Sequence, residues 1–249
     1  MPGEYAKDRT VLSISGADQA HFLQNLVTCD VKDPKDGLTY AALLTPQGKY
    51  LVDFFLLNQG DDILLDVKVE LAERLIQRLM MYRLRADVTI ERTDLNVVRG
   101  VENAPPDAWA DPRDPTLGWR GYGMVGGIPQ IDWNALRVAA CVPETGIELI
   151  PEETYILEAG FDRLSGVDHK KGCYVGQEVT ARMKHKTTLR KGLTTVLVND
   201  VAPVGTEIMA QGRSVGTLYT QSGGRGIAYL RFDRATGPMQ AGNATVTWP

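Results

Sequence analysis

KKGCYVGQEVTAR, residues 170–182, is the stretch on which the assignment of this chain depends. Cys173 lies directly after Gly172 and three residues before Gly176, and two lysines precede it. The segment VGQEVTARM is typical of the start of a helix. Cys173 is therefore predicted to lie just before the positive end of a helix dipole and near cationic side chains, a setting that lowers the pKa of a thiol and activates it.

A structural role fits the same residues. A small buried cysteine in a glycine-bounded turn, with Lys170 and Lys171 pointing to water, would give the same pattern. A Cys–His hydrolase is disfavoured, because none of the three histidines, His21, His169 and His185, has a spacing that pairs it with the thiol. A lone thiolate cannot hold an iron–sulfur cluster, which needs about four ligands, but it could ligate one between two proteins.

Composition excludes several classes of protein. The chain has 249 residues, of which 43% are hydrophobic and 23% charged, enough for a sizeable core and for more than one domain. Its formal net charge of −4 gives no general attraction for nucleic acid, so direct nucleic-acid binding is not expected. No run approaches the roughly 18 apolar residues of a membrane span, and MPGEYAKDRT does not resemble a signal peptide. Because Cys29, Cys141 and Cys173 form no CxxC pair, we expect no disulfide framework, no metal site and a cytoplasmic location.

Hydrophobic periodicity predicts an α+β fold followed by a small all-β unit. A strand in TVLSIS (10–15) precedes a helix in ADQAHFLQNLVTCDV (17–31). A hairpin follows in residues 38–57, turning at TPQG, and VELAERLIQRLMMY (69–82) is an amphipathic helix. Five further short strands with Gly and Pro between them predict a closed or sandwich-like unit at the C-terminal end; they are LTTVLVN, TEIMAQ, SVGTLYTQ, GIAYLRF and ATVTW.

Asp53 is out of place in its strand. Alternation places it on the face that carries Leu51, Phe55 and Leu57, where a carboxylate is costly unless it is partnered or protonated. Burial would raise its pKa, as suits a general acid or base. Pairing of Thr45 with Gly48 would set Tyr40 opposite Asp53, although a bulge in the turn would shift that register. An edge-strand carboxylate facing water is the alternative.

Two other groups are candidates for ligand binding. Gln177 and Glu178 offer an amide and a carboxylate that could read the edge of a nitrogen heterocycle, or they could simply favour the helix dipole and face solvent. Arg83 and Arg85, where a helix gives way to a strand, could bind an anion such as a glutamate tail, or pair with a local acid such as Asp87.

At KGCYVGQE the chain resembles the YgfZ family of folate-binding proteins linked to iron–sulfur enzymes. HFLQNLVTCDV, ALLTPQGKYLVDFFLL and MMYRLRADV also resemble segments of that family, so the likeness covers almost the full length. Its broader relatives include the glycine cleavage T-protein, a tetrahydrofolate-dependent aminomethyltransferase. The KGCY cysteine favours YgfZ, because aminomethyltransferases do not typically carry it.

The resemblance implies three domains in a ring around a folate pocket. The first takes residues 1–28 and 90–147, and a ferredoxin-like second domain takes 29–89 and 148–186. The C-terminal β-barrel takes 187–249. These bounds come from the resemblance, whereas the barrel is also predicted by the series of short strands separated by Gly and Pro.

The resemblance also assigns roles. Cys173, Asp53 and Lys171 are the expected catalytic residues. Six residues are the expected contacts to tetrahydrofolate or a derivative. They lie either in the segments that resemble the family or at positions that resemble the T-protein: Tyr40, Asp53, Arg83, Tyr174, Gln177 and Glu178. The implied function is support of iron–sulfur cluster assembly or repair, with client enzymes (including tRNA-modifying ones) or assembly proteins as partners. The alternatives are a folate-dependent aminomethyltransferase and a folate-binding scaffold without chemistry.

Overall fold

The computed structural model describes residues 3–31, 37–186 and 188–249. Within them lie four α-helices: α1 (Gln19–Gln24), α2 (Val69–Arg83), α3 (Trp133–Ala140) and α4 (Gln177–Lys186). The strands are β1 (Glu4–Tyr5), β2 (Arg9–Ser15), β3 (Thr39–Leu44), β4 (Tyr50–Gln59), β5 (Asp62–Lys68), β6 (Thr89–Arg92), β7 (Val97–Gly100), β8 (Ala108–Ala110), β9 (Trp119–Tyr122), β10 (Lys191–Val198), β11 (Thr206–Ala210), β12 (Arg213–Ser222), β13 (Arg225–Arg231), β14 (Met239–Ala241) and β15 (Ala244–Thr247).

A five-stranded antiparallel sheet, in the order β3-β4-β5-β2-β6, separates two apolar cores. Side chains alternate across it, so Phe54 and Leu56 enter one core while Phe55 and Leu57 enter the other. Helices α1 and α2 cover the first face, where Leu75 and Leu79 of α2 are buried. The second face packs against the smaller sheet β1-β7-β9-β8 and the turns between α3 and α4. The sheet takes strands from both sides of residue 28, so it crosses the expected boundary between the first two domains.

A β-bulge in β4 changes which residues share a face. Leu43 pairs with Val52 but Leu44 pairs with Tyr50, so Leu51 has no partner of its own. Leu51 therefore packs in the core beneath α2, and the expectation that it shares a face with Asp53 is wrong. The bulge instead turns Tyr50 towards Asp53.

The C-terminal strands form a closed barrel in the order β10-β13-β12-β11-β14-β15. The prediction of a small closed β unit is confirmed, with one additional strand, β14. The barrel is fastened to the rest of the chain by polar contacts. Thr220 Oγ1 donates to Glu148 at 2.5 Å, and Leu193 N donates to the Glu158 carbonyl at 2.7 Å.

Helix α1 is shorter than the predicted helix over 17–31. It ends at Gln24, and the following chain joins the edge of the sheet, where Val27 bridges to Leu43 and Thr28 N donates to the Ala42 carbonyl. The last helical hydrogen bond is donated by Val27 N to the Leu23 carbonyl, and from Val27 onwards the chain follows the sheet edge. No helix in the described residues is long and apolar enough to cross a membrane.

Candidate functional site

The cysteine motif is anchored by a buried lysine. Lys171 is 6% exposed, and its ammonium donates to the carbonyl oxygens of Gln24, Val27 and Cys29 at 2.8, 2.5 and 2.9 Å. These carbonyls belong to the end of α1 and the segment after it. Burial lowers the pKa of Lys171 to about 8. The structure therefore gives this residue an anchoring contact, so the alternative of a lysine in water is wrong, while its catalytic role stays a prediction.

Cys173 lies on the outside of the same loop. It is exposed, whereas Tyr174 beside it is buried, and the Lys171 ammonium lies 5.2 Å from the centre of the Tyr174 ring. Burial raises the pKa of the Tyr174 hydroxyl to about 12, so the phenol stays protonated near neutral pH. Tyr174 thus serves as a second inward anchor. The alternative of a buried structural cysteine is wrong, since the thiol faces solvent between two buried side chains.

The glycine after the motif cysteine fixes the approach of the loop to the β3–β4 turn. Gly176 has φ +84°, and a Cβ there would lie 2.6 Å from the Thr45 carbonyl oxygen. Helix α4 begins at the next residue, as predicted. Only a glycine gives both the backbone conformation and the space for this contact.

Gln177 and Glu178 lie at the start of α4, and their expected contact with a heterocycle stays a prediction. The Glu178 side chain is 85% exposed and accepts from Arg182, one helical turn later, at 2.8 Å. The Gln177 amide donates back to the Gly172 carbonyl at 3.3 Å. Both residues therefore stabilise the start of a solvent-facing helix.

Asp53 lies in a closed set of hydroxyl donors. Its carboxylate accepts from Tyr40 at 2.9 Å, from Tyr50 at 2.7 Å and from Thr145 at 2.6 Å. The expected contact with Tyr40 exists, but in another register: Tyr40 pairs with Phe55, and Ala42 lies opposite Asp53. Asp53 is 4% exposed, so the alternative of an edge carboxylate in water is wrong.

The pKa of Asp53 moves in the opposite direction from the sequence-based expectation. Burial raises it, but the charge of Arg9 and the hydrogen bonds from Thr145, Tyr50 and Tyr40 outweigh burial, so the pKa lies below its ordinary value. Burial and the Asp53 charge raise the pKa values of both phenols. Asp53 is therefore an anion that accepts hydrogen bonds from protonated hydroxyl groups. Because its pKa is lowered, it is poorly suited to take up a proton as a general base at neutral pH.

Sequence reasoning missed the ion network beside Asp53. Asp66 accepts from Arg9 Nε at 2.6 Å and from Arg120 Nη1 at 3.2 Å, and Asp111 accepts from Arg113 Nη2 at 2.8 Å. The guanidinium carbons of Arg120, Arg113 and Arg9 lie 4.0, 4.8 and 5.5 Å from the centre of the Phe55 ring. The signal that could have found the network is Asp66, a carboxylate in the apolar strand LLDV, as unusual there as Asp53 is in its own strand.

A cleft near these residues has a volume of about 530 Å³. Its walls combine apolar side chains, carboxylates and cationic side chains: Cys29, Asp30, Leu38, Thr39, Tyr40, Pro112, Asp162, Ser165, Val167, Asp168, His169 and Lys170. Tyr40 belongs to the cleft wall while its hydroxyl reaches Asp53 inside the protein. Asp53 itself borders a much smaller cavity of about 20 Å³, enough for about one water molecule.

Arg83 lies apart from Tyr40. It ends α2, whose buried residues pack on one face of the sheet, whereas Tyr40 and Phe55 point to the other face. The five-stranded sheet therefore separates Arg83 from the Tyr40 side chain, and Arg83 is not among the residues that line the cleft. Of the six expected folate contacts, the structure brings Tyr40 to the cleft and places Asp53 directly behind it.

Comparisons with known proteins agree with this architecture. The profile of the CAF17 C-terminal beta-barrel domain matches residues 190–249. A solved structure of the glycine cleavage system aminomethyltransferase T from Bartonella henselae superposes with a TM-score of 0.74 at 13% identity, covering 97% of this chain and 82% of that one. The predicted fold class, α+β and T-protein-like with a C-terminal barrel, is confirmed.

Curated relatives are similar over most of this chain. The human mitochondrial iron–sulfur cluster assembly factor IBA57 is 30% identical over 93% of this chain and 78% of its own length. The IBA57 homologue of Pyricularia oryzae, also mitochondrial, is 30% identical over 78% of this chain but only 57% of its own length. The mouse IBA57 is 27% identical over 93% of this chain and 78% of its own length.

These relatives correct two sequence-based expectations. The cytoplasmic location is wrong, because the relatives are mitochondrial proteins. The resemblance to YgfZ holds at the broader level of iron–sulfur assembly factors with a T-protein-like fold, while membership of the YgfZ family itself stays a prediction.

Proposed function

The chain belongs to the family of the iron–sulfur cluster assembly factor IBA57, and on that basis we propose that it supports iron–sulfur cluster assembly through the thiol of Cys173. The observation that carries this proposal is the way the motif loop is held. Lys171 and Tyr174 point inward and fix the loop, and Cys173 between them is exposed. A thiol held outward on an anchored loop can reach the reactive group of a second protein.

The cluster is cargo rather than a resident group in this proposal. No three His, Cys, Asp or Glu side chains within the described ranges are arranged to hold a metal ion. A cluster that Cys173 ligates therefore takes its remaining ligands from a partner protein, such as an assembly protein or a client enzyme. The sequence resemblance extends the proposed clients to tRNA-modifying enzymes.

We further propose that the 530 Å³ cleft binds a tetrahydrofolate. Its volume lies within the usual range for small-molecule sites, about 300–1,000 Å³. Tyr40 and Val167 offer apolar contact, Asp30 and Asp168 offer carboxylates for ring N–H groups, and Lys170 offers a cation for a glutamate tail. Folate would supply a one-carbon unit or a reduced ring, and these residues would bind and orient it.

One-carbon transfer is the second candidate, and the T-protein-like fold favours it. The state of Asp53 opposes it. A catalytic proton acceptor must reach the reacting nitrogen, but Asp53 is 4% exposed and already accepts three hydrogen bonds. Support for assembly is therefore the preferred function.

Calorimetric titration with tetrahydrofolate tests the cleft. We expect saturable binding by the wild type and by Cys173→Ala, and binding at least about fivefold weaker in Lys170→Glu, because the variant opposes the glutamate tail. Lys7→Glu, at another exposed lysine, is the matched control and should bind as the wild type does. No binding by the wild type would remove folate from the proposal, and equal binding by Lys170→Glu would move the site away from the cleft.

A further inference from the structure

A further cavity, which we call the seam cavity, lies where the barrel meets the rest of the chain. It has a volume of about 200 Å³, and none of its lining residues also lines the 530 Å³ cleft or the small cavity beside Asp53. Strands β10, β12 and β13 supply one wall through Lys191, Tyr219 and Tyr229, and residues within 148–159 supply much of the other. A ligand in the seam cavity therefore contacts both parts of the protein.

A buried carboxylate in the wall of the seam cavity has one oxygen without a hydrogen-bond donor. Glu158 is 9% exposed, and its Oε2 accepts from the Tyr229 hydroxyl at 2.5 Å. Within the described ranges no group donates a hydrogen bond to Oε1, whose ion-pair contact is the Lys191 ammonium at 3.6 Å. Because a buried carboxylate oxygen without a donor is costly, Oε1 is the atom at which a ligand N–H group gains most.

Glu158 is also fixed in position. Its backbone carbonyl accepts from Leu193 N of the barrel at 2.7 Å. Burial and the bond to Glu158 raise the pKa of Tyr229, so this hydroxyl remains a donor to Oε2. The other buried carboxylate of the wall, Glu148, is already bound by Arg137 at 3.2 Å and by Thr220 at 2.5 Å. Glu158 is therefore the carboxylate that a ligand can use.

Two lysines bring positive charge to the same cavity. Lys191 is exposed, and its ammonium lies 5.5 Å from the centre of the Tyr229 ring. The Lys49 ammonium lies 3.5 Å from the centre of the Tyr155 ring and donates to the Glu153 carbonyl at 2.7 Å. Since a ring face and a backbone carbonyl carry no net charge, the Lys49 charge is available to an anionic group.

These groups are complementary to a small zwitterion. A simple amine would gain Glu158 but meet two lysines, and a simple carboxylate would gain the lysines but meet Glu158. A molecule that carries both charges satisfies both ends. The volume of about 200 Å³ is below the range of about 300–1,000 Å³ for drug-sized ligands, so the occupant is a small metabolite.

We propose that the seam cavity binds a free α-amino acid with an apolar side chain. The ammonium group of the ligand donates to Glu158 Oε1, and its carboxylate accepts from Lys191. Its side chain packs against Leu193 and the Tyr219 ring, which belong to the same wall. The site is independent of the thiol and of the cleft proposed for folate.

Calorimetric titration of the intact chain with L-phenylalanine tests the ligand class. The comparison probes are 2-phenylethylamine, which lacks the carboxylate, and 3-phenylpropionate, which lacks the ammonium group. L-Phenylalanine should bind saturably and at least about fivefold more tightly than either probe. Equal affinity for either probe would contradict recognition of a zwitterion, and no saturable binding of L-phenylalanine or L-leucine would overturn the site.

Two substitutions separate the two ends of the ligand. Glu158→Gln should weaken L-phenylalanine binding at least about tenfold, and Lys191→Gln at least about fivefold. Lys191→Gln should leave 2-phenylethylamine binding no weaker than in the wild type, and because Lys191 is exposed this variant should fold normally. Glu207→Gln, at an exposed position of β11, is the control and should bind within about twofold of the wild type. Wild-type affinity in Lys191→Gln would overturn the inference.

Tetrahydrofolate distinguishes the seam cavity from the 530 Å³ cleft. Because the two share no lining residue, the affinity for L-phenylalanine should change less than about twofold in saturating tetrahydrofolate and in Cys173→Ala. Competition between the two ligands would place the amino acid in the cleft and overturn the inference. Binding of L-phenylalanine without binding of tetrahydrofolate would support the seam cavity and remove folate from the proposed function.

Discussion

The ammonium of Lys171 lies 2.9 Å from the backbone carbonyl oxygen of Cys29, and this bond joins two parts of the chain that are 142 residues apart. Cys29 belongs to the wall of the large cleft, and Lys171 precedes the exposed Cys173 by two residues. The lysine therefore connects the motif loop to the cleft wall. Any ligand that moves the segment around Cys29 would act on the position of the thiol through this contact.

Lys171→Met should lower the free energy of unfolding by about 2–4 kcal/mol, because methionine fills the space of the lysine stem but leaves three carbonyl groups without their donor. The measurement is urea unfolding. Lys170→Met is the control, since Lys170 is exposed and should change stability by less than about 0.5 kcal/mol. Equal stability of the two variants would mean that the Lys171 ammonium does not anchor the loop.

The two glycines of the motif should respond differently to alanine. Gly176→Ala should cost about 2 kcal/mol or more, because its φ is +84° and its Cβ would lie 2.6 Å from the Thr45 carbonyl oxygen. Gly172→Ala should be tolerated, since no atom lies within 4 Å of the added Cβ. Thermal unfolding of the pair checks this, and similar melting temperatures would contradict the described packing of the loop on the turn.

Asp53→Asn should destabilise the fold by about 1–3 kcal/mol while support of iron–sulfur enzymes per folded molecule is retained. The amide carries no charge to balance Arg9, and its NH₂ group faces hydroxyls that now donate to a carboxylate. Unfolding and client-enzyme activity should be measured on the same preparations. Normal stability with lost activity would instead indicate chemistry at Asp53 and revive one-carbon transfer.

Asp111 should make stability depend on pH in the acid range. Burial raises its pKa, but Arg113 and Arg120 lower it to about 2, from an ordinary value of 3.8. Because the unfolded chain takes up the proton first, the stabilisation is complete above about pH 4 and is lost as pH falls to about 2. It amounts to about 2 kcal/mol.

Asp111→Asn should therefore flatten the fall in stability between about pH 4 and pH 2. Asp107→Asn, at an exposed position, serves as the control and should keep the wild-type slope. A slope in Asp111→Asn as steep as in the wild type would contradict the ion network.

The local sequence pattern was sufficient to predict most elements of the fold. Alternation and turn chemistry predicted the hairpin, the helix after Gly176 and the closed barrel. Strand β14 was missed because three residues, Met239–Ala241, are too few to show a period. The helix over 17–31 was predicted too long, because the sheet-edge contacts of Val27 and Thr28 are not visible in local sequence.

The site depended more on distant contacts. Asp53 was recognised as unusual, but the direction of its pKa was wrong because Arg9 and Thr145 lie 44 and 92 residues away in sequence. The β-bulge at Leu51 was also not predicted from the sequence. Without it, the Tyr50 side chain would face the other core. Lys171 was expected beside the thiol, but its side chain turns inward to carbonyls that only the folded chain assembles.

The most direct test of the central claim is iron–sulfur enzyme activity in cells that lack this protein, complemented with the wild type or with Cys173→Ala at equal abundance. Because Cys173 is exposed, the variant should fold normally. The account predicts that the wild type restores the activity and that Cys173→Ala leaves it near the level of the deficient cells. Equal restoration by both proteins would contradict the claim that the exposed thiol carries the function.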